Sequence, residues 1–195
     1  ETLLDDPNVE TIYQDVPVPL ALNKSVPLIR ANKLWTKRGV KGGKGWVVAV
    51  LDTGVQINHP ALKGKVVSGA CYSTGGLYGS KSFCPGGVAS AKTKRSATYC
   101  PLSVDGCEHG THVAGIVAGD VPGVAPGADI VAVQVASDHS IPMANAPDKP
   151  VLQIQSGDVL DALGYIFHSA SLQFDIAAIN MSFGAFPPNA GDCTG

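Results

Sequence analysis

Glu108-His109-Gly110-Thr111-His112-Val113-Ala114-Gly115-Ile116-Val117-Ala118-Gly119 is the stretch from which the rest of the chain can be read. It has the spacing of a short helix, yet it carries Gly110 and Gly115 inside and only methyl groups at Ala114 and Ala118. Interior glycine costs a helix roughly 1 kcal/mol against alanine, so this density needs a packing or functional reason. Close approach of the helix backbone to a sheet supplies one, with Gly110, Ala114, Gly115 and Ala118 on the contact face. His109 is then the group that the first turn of such a helix holds in place.

Working outward, Trp46–Leu51 is almost wholly apolar, the pattern of a central parallel strand covered on both faces. Asp52 ends it, which puts a carboxylate at the carboxyl edge of a sheet, where open α/β sheets place their ligand chemistry. Taken alone, Asp52 reads equally as a strand-end residue that accepts hydrogen bonds from a Thr53-Gly54 turn. Asp129–Ala136 and Asp175–Met181 read as two more buried strands. The segment 158–168 between them reads as a helix with Ser156 as its cap and His168 at its end, favourable to the dipole. Strand, helix, strand, helix, strand at this spacing predicts an α/β fold with right-handed crossovers and a parallel sheet.

Three segments together resemble one family. They are Val-Val-Ala-Val-Leu-Asp-Thr-Gly-Val at 47–55, His-Gly-Thr-His-Val-Ala-Gly at 109–115 and Ile-Asn-Met-Ser-Phe-Gly at 179–184, and their order is that of the subtilisin-like serine proteases. The resemblance implies a parallel-sheet fold with helices on both faces, incomplete here at the carboxyl end, and peptide-bond hydrolysis by an Asp-His-Ser triad. It makes Asp52 and His109 the catalytic candidates, Asp52 holding one ring nitrogen of His109 so that the other can take a proton. It also makes Ser182, Phe183 and Gly184 an extended substrate-binding segment that offers main-chain hydrogen bonds to a peptide, a form of β-augmentation. No cofactor is required by this chemistry. Structural calcium is common in the family, but no stretch shows a ligand pattern to which it can be assigned.

Bulk properties are consistent with this. At 195 residues, 45% hydrophobic and 15% charged, the chain is long enough for one good core. A net charge of −2 gives no basic face for a phosphate backbone. Lys37, Arg38, Lys41 and Lys44, and Lys92, Lys94 and Arg95, read as solvated loop charge, so no nucleic-acid partner is expected. No apolar run reaches the roughly 20 residues of a membrane helix, and no signal peptide opens the chain.

The five cysteines, Cys71, Cys84, Cys100, Cys107 and Cys193, lie in glycine, proline and serine-rich surroundings and point to an oxidising, extracellular setting. Short loop closure favours Cys71 with Cys84 and Cys100 with Cys107, leaving Cys193 over; spacing alone does not prove the connectivity. A zinc site is the rival use, against which stands the lack of any Cys-x-x-Cys pair. Residues 64–107 read as a disulfide-tied insertion bordering the site, and Ser137–Pro150 as a surface loop. Residues 27–35 read as a short helix stopped by Gly39 and Gly42-Gly43. Val16-Pro17-Val18-Pro19 reads as an extended linker. Residues 1–15 read either as a frayed extension or, by resemblance, as the tail of an inhibitory propeptide, which would make the protein a zymogen product; 16–195 is then the amino-terminal part of a catalytic domain.

The family's nucleophile sits in a Gly-Thr-Ser-x-Ala type motif that this sequence lacks, and Asn189, in a loop, does not match its oxyanion asparagine. The nucleophile is therefore expected on a downstream part, a second polypeptide that completes the domain and acts on a peptide or protein substrate; without it the 175–181 strand is expected to be an exposed apolar sheet edge. A catalytically inactive peptide-binding module is the alternative. A metalloenzyme built on His109 and His112 is a third, but Gly110-Thr111 between them is poor helix interior and no third ligand is evident. His112 is expected to pack behind the site.

Overall fold

A computed structural model describes residues 22–37, 41–75, 80–120, 123–139 and 151–184. Residues 1–15, the 16–19 linker, most of 137–150, Asn189 and Cys193 lie outside them. The elements in order are α1 (Leu22–Leu28), α2 (Asn32–Trp35), β1 (Val47–Asp52), β2 (Val66–Tyr72), β3 (Lys81–Ser82), β4 (Ser90–Ala91), α3 (His109–Ala118), β5 (Asp129–Gln134), β6 (Ala136–His139), β7 (Val151–Ile154), α4 (Ser156–Tyr165) and β8 (Ile176–Asn180). The main sheet has the order β4-β2-β5-β1-β8, parallel except for β4. This is an α/β fold of the subtilisin-like kind.

Alternation along the strands divides the core in two. Val47, Ala49 and Leu51 of β1 and Val131 and Val133 of β5 face α4 and the turn after it, where they meet Ala162, Ile166 and Ala170. Val50, Ile130 and Ala132 face α3 and meet Val113, Ala114 and Ala118. Both faces of β1 are thus covered, which is why its sequence is apolar without polar interruption. On the α4 side Tyr72 and Tyr165 lie with ring centroids 6.3 Å apart. Burial pushes the Tyr72 phenol above its ordinary pKa, with Tyr165 and Asp161 adding to the effect.

Several sequence expectations are corrected. Residues 64–107 are not wholly an insertion, because Val66–Tyr72 is β2, paired in parallel with β5. Its Ser68-Gly69 break reads as loop, but glycine is needed there: a Cβ on Gly69 would lie 2.5 Å from the Ala97 methyl and 2.7 Å from the Ala132 carbonyl oxygen. The strand at 129–136 stops at Gln134, and Ala136 joins Ser137–His139, expected in a loop, to form β6 of a small antiparallel sheet β3-β6-β7. The helix expected over 27–35 is broken at Arg30, whose φ is 60°, into α1 and α2. Ser156 is inside α4 rather than its cap; Gln155 is the cap residue and makes no side-chain cap bond. Instead the buried Asp158 ties the first turn of α4 to the end of β2 by accepting from the N–H and hydroxyl of Thr74 at 2.9 and 2.6 Å. β8, buried by its composition but expected at an exposed edge without a downstream part, lies at the sheet edge among the described residues, with Ala177, Ala178 and Ile179 exposed. His168 falls in a wider helical turn, Ile166–Ala170, with its ring edge-on to Phe167.

Candidate active site

The carboxyl ends of β1 and β8 lie side by side. Val50 is level with Asn180, so two residues further along each strand come Asp52 and Ser182. Asp52 is 1% exposed. A carboxylate that deep must be met by donors. The Thr53 N–H donates to Asp52 Oδ1 at 2.7 Å, and the His109 ring stands with Nδ1 2.8 Å from Oδ1 and 3.0 Å from Oδ2. An acceptor-only partner assigns the proton to Nδ1, which leaves Nε2 with its lone pair. The His109 side chain is 46% exposed, and among the described residues Nε2 has no hydrogen-bond partner. Asp52 therefore accepts from the turn and from the imidazole at once.

The close approach between α3 and the sheet is carried by Gly110. A Cβ there would lie 2.3 Å from the Gly54 carbonyl oxygen and 3.0 Å from Asp52 Cβ. Gly54 in turn needs its φ of 86°, and a Cβ on it would lie 2.3 Å from the Thr98 carbonyl oxygen. These two glycines allow a helix start, a strand end and the loop before Cys100 to meet without side chains between them. Gly115 is not on that contact face, since a Cβ on it would meet nothing within 4 Å. It lines an open cavity of about 670 Å³ beside His109, together with Gln56, His59, Leu102, Glu108 and Ile116. His112 lines the same cavity and is exposed, so it is not packed behind the site.

Thr53 links the parts. Its hydroxyl donates to the Cys107 carbonyl at 3.1 Å and accepts the Gly110 N–H at 3.0 Å, and its own carbonyl accepts the Cys100 N–H at 3.2 Å. Nothing in the composition of the Asp-Thr-Gly segment marks Thr53 out; its role needs the fold. Cys71 is bonded to Cys84 and Cys100 to Cys107, so those four sulfurs are not metal ligands. Among the described residues no group of three or more His, Cys, Asp or Glu side chains is arranged to hold a metal ion.

Ser182, Phe183 and Gly184 continue from β8 without regular structure. Phe183 packs partly against the α4-side core, while Ser182 and Gly184 are exposed and the Ser182 hydroxyl donates to Asn180 Oδ1 at 2.9 Å. Among the described residues their main chain has no partner, so its hydrogen-bonding groups are open to an added strand.

Known proteins resemble this chain. It is 37% identical over 127 residues to the minor extracellular protease Vpr of Bacillus subtilis (strain 168), covering 64% of this chain and 14% of that protein. It is 34% identical over 119 residues to the major intracellular serine protease of the same organism, covering 58% and 30%. It is 30% identical over 190 residues to a subtilisin of Bacillus sp. (strain TA39), covering 94% and 37%. The chain thus spans well under half the length of these relatives. The family model described as "Subtilase family" matches residues 43–194, which takes in both strand ends and α3, and the chain belongs to that family.

Proposed function

We propose that this chain supplies the general base and its orienting carboxylate to a serine endopeptidase. The observation that carries the reading is the buried Asp52 carboxylate 2.8 Å from His109 Nδ1, on an imidazole whose Nε2 is unpartnered among the described residues. In this role Nε2 removes the proton of a serine hydroxyl as it attacks the scissile carbonyl and returns it to the leaving amine, while Asp52 stabilises the imidazolium between the two steps. The nucleophile and the oxyanion donors come from sequence outside residues 1–195. Two facts support that division: the chain spans 14% to 37% of the relatives above, and β8 and the residue after it expose apolar side chains at the sheet edge, Ile179 39% and Met181 44% exposed, of the kind a further part of a fold covers. The substrate is a peptide strand laid along Ser182–Gly184, and no cofactor takes part. The setting is extracellular, for which the two disulfides speak.

The test compares residues 1–195 with the full-length protein that carries them. The chain alone should neither cleave peptides nor be labelled by a fluorophosphonate, and both should appear in the full-length protein or when the downstream part is added. Labelling of the isolated chain would overturn the division proposed here. The open main chain at 182–184 also fits a peptide-binding module without catalysis; micromolar peptide affinity of the full-length protein, with no labelling at all, would select that reading.

A further inference from the structure

The Cys100–Cys107 disulfide joins cysteines seven positions apart in sequence, and Cys107 stands two residues before His109. Both ends of that ring are fastened to the residue that follows Asp52. Cys100 N–H donates to the Thr53 carbonyl at 3.2 Å, and the Thr53 hydroxyl donates to the Cys107 carbonyl at 3.1 Å. Thr53 is 6% exposed, so these bonds are sheltered from water.

α3 begins without a cap of its own, because Glu108 makes no side-chain cap bond. Amides at a helix start have no partner within the helix. The one at Gly110 donates to the Thr53 hydroxyl at 3.0 Å, so a threonine from the end of a neighbouring strand does what an N-cap residue ordinarily does. One oxygen atom is thereby shared between the disulfide ring and the first turn of the helix that carries His109. The ring itself is held from behind, since Cys100, Val104 and Cys107 form a small buried cluster with Phe83 and with Leu152 of β7.

We propose that Thr53 and the Cys100–Cys107 ring are positioning residues for the acid–base pair, the ring fixing the Cys107 carbonyl and Thr53 passing that fixed point to the Gly110 N–H. The proposal rests on the reading of Asp52 and His109 as that pair. Neither Thr53 nor the cysteines touch a substrate in this scheme. They act by holding His109 Nδ1 on Asp52, and an error of about 1 Å in such a placement costs roughly 100-fold in rate.

The experiment uses the full-length protein with Thr53→Val, Thr53→Ser, the pair Cys100→Ala and Cys107→Ala, and all three changes of Thr53→Val with the cysteine pair. Thr53→Val should lower kcat by about 10- to 100-fold with KM within about twofold, whereas Thr53→Ser, which keeps the hydroxyl, should stay within about threefold of wild type. The cysteine pair should lower kcat in the same manner. The combined variant should fall no further than the worse of its two components, because both act through one bond. Unchanged kcat in Thr53→Val, or effects that multiply in the combined variant, would overturn the proposal.

Proton NMR of the ¹⁵N-histidine-labelled protein reads the same placement without peptide hydrolysis. The His109 Nδ1 proton should give a slowly exchanging downfield resonance in wild type and Thr53→Ser, and lose it in Thr53→Val. If that pattern appears in a protein that never cleaves or labels, the positioning stands and the protease reading falls. If cleavage is normal and the resonance is indifferent to Thr53, the reverse holds.

Discussion

The ends of β1 and β8 are neighbours in one sheet and are built in opposite ways. At β1 the groups interlock: Asp52 is buried between Thr53 N–H and His109, Gly110 rests on Gly54, and Thr53 joins both to a disulfide. At β8 the chain leaves the sheet exposed, with a single side-chain bond from Ser182 and open main chain beside it. On the function proposed above the difference is the one each end needs, because a base must be held to a fraction of an ångström before any substrate arrives. A segment that receives a peptide strand needs the contrary, because each hydrogen bond satisfied internally is one fewer to offer.

The contrast can be broken most severely at the rigid end. In the full-length protein, Asp52→Asn should keep the geometry and lower kcat on the order of 10⁴-fold, by stabilising the wrong tautomer of His109. Steady-state kinetics on a peptide substrate would show it, and a loss under about tenfold would mean that the pair is not the acid–base machinery. Gly110→Ala comes next. Its methyl would lie 2.3 Å from the Gly54 carbonyl oxygen, a backbone atom that cannot turn aside. Thermal unfolding should report a loss of about 3 kcal/mol, at the upper end for overpacking, together with loss of activity.

The open end should answer differently. A Cβ on Gly184 meets nothing within 4 Å, so Gly184→Ala should leave stability within about 0.5 kcal/mol of wild type. If the segment floors a substrate pocket, KM for substrates with large side chains should nevertheless rise by about tenfold. Equal effects on folding and KM would erase the distinction between the two ends. The smallest effect belongs to Gly115, the helix glycine that faces a cavity instead of the sheet. Gly115→Ala should raise stability by about 0.5–1 kcal/mol, seen as a rise of roughly 1–4 °C in Tm, while leaving kcat unchanged.

How much of this was legible follows from where each signal is stored. β1 announces itself because both of its faces are covered and its residues are apolar without exception from Val47 to Leu51. β2 hides because Gly69, required by the Ala97 methyl and the Ala132 carbonyl, looks like a loop residue. β8 reads as a buried strand on its composition and as an exposed edge where no downstream part adjoins it; among the described residues it is at the edge, because a strand's place in a sheet is a property of its neighbours. The two glycines of α3 read alike in sequence, yet only Gly110 meets the sheet, since the helix turns Gly115 toward the cavity.

By itself the sequence determined which side chains could do chemistry and in what order they come: an aspartate closing an apolar strand, a histidine opening a glycine-bearing helix, and a Ser-Phe-Gly segment leaving a later strand. Those are local facts, encoded by residues next to one another. Only the tertiary structure decided that Asp52 and His109 meet, that Thr53 caps a helix remote from it in sequence, and that the Cys100–Cys107 ring is fastened to both. Such contacts depend on how strands order themselves in a sheet and how closely a helix approaches it, and packing of that kind has no period along the chain from which it can be read.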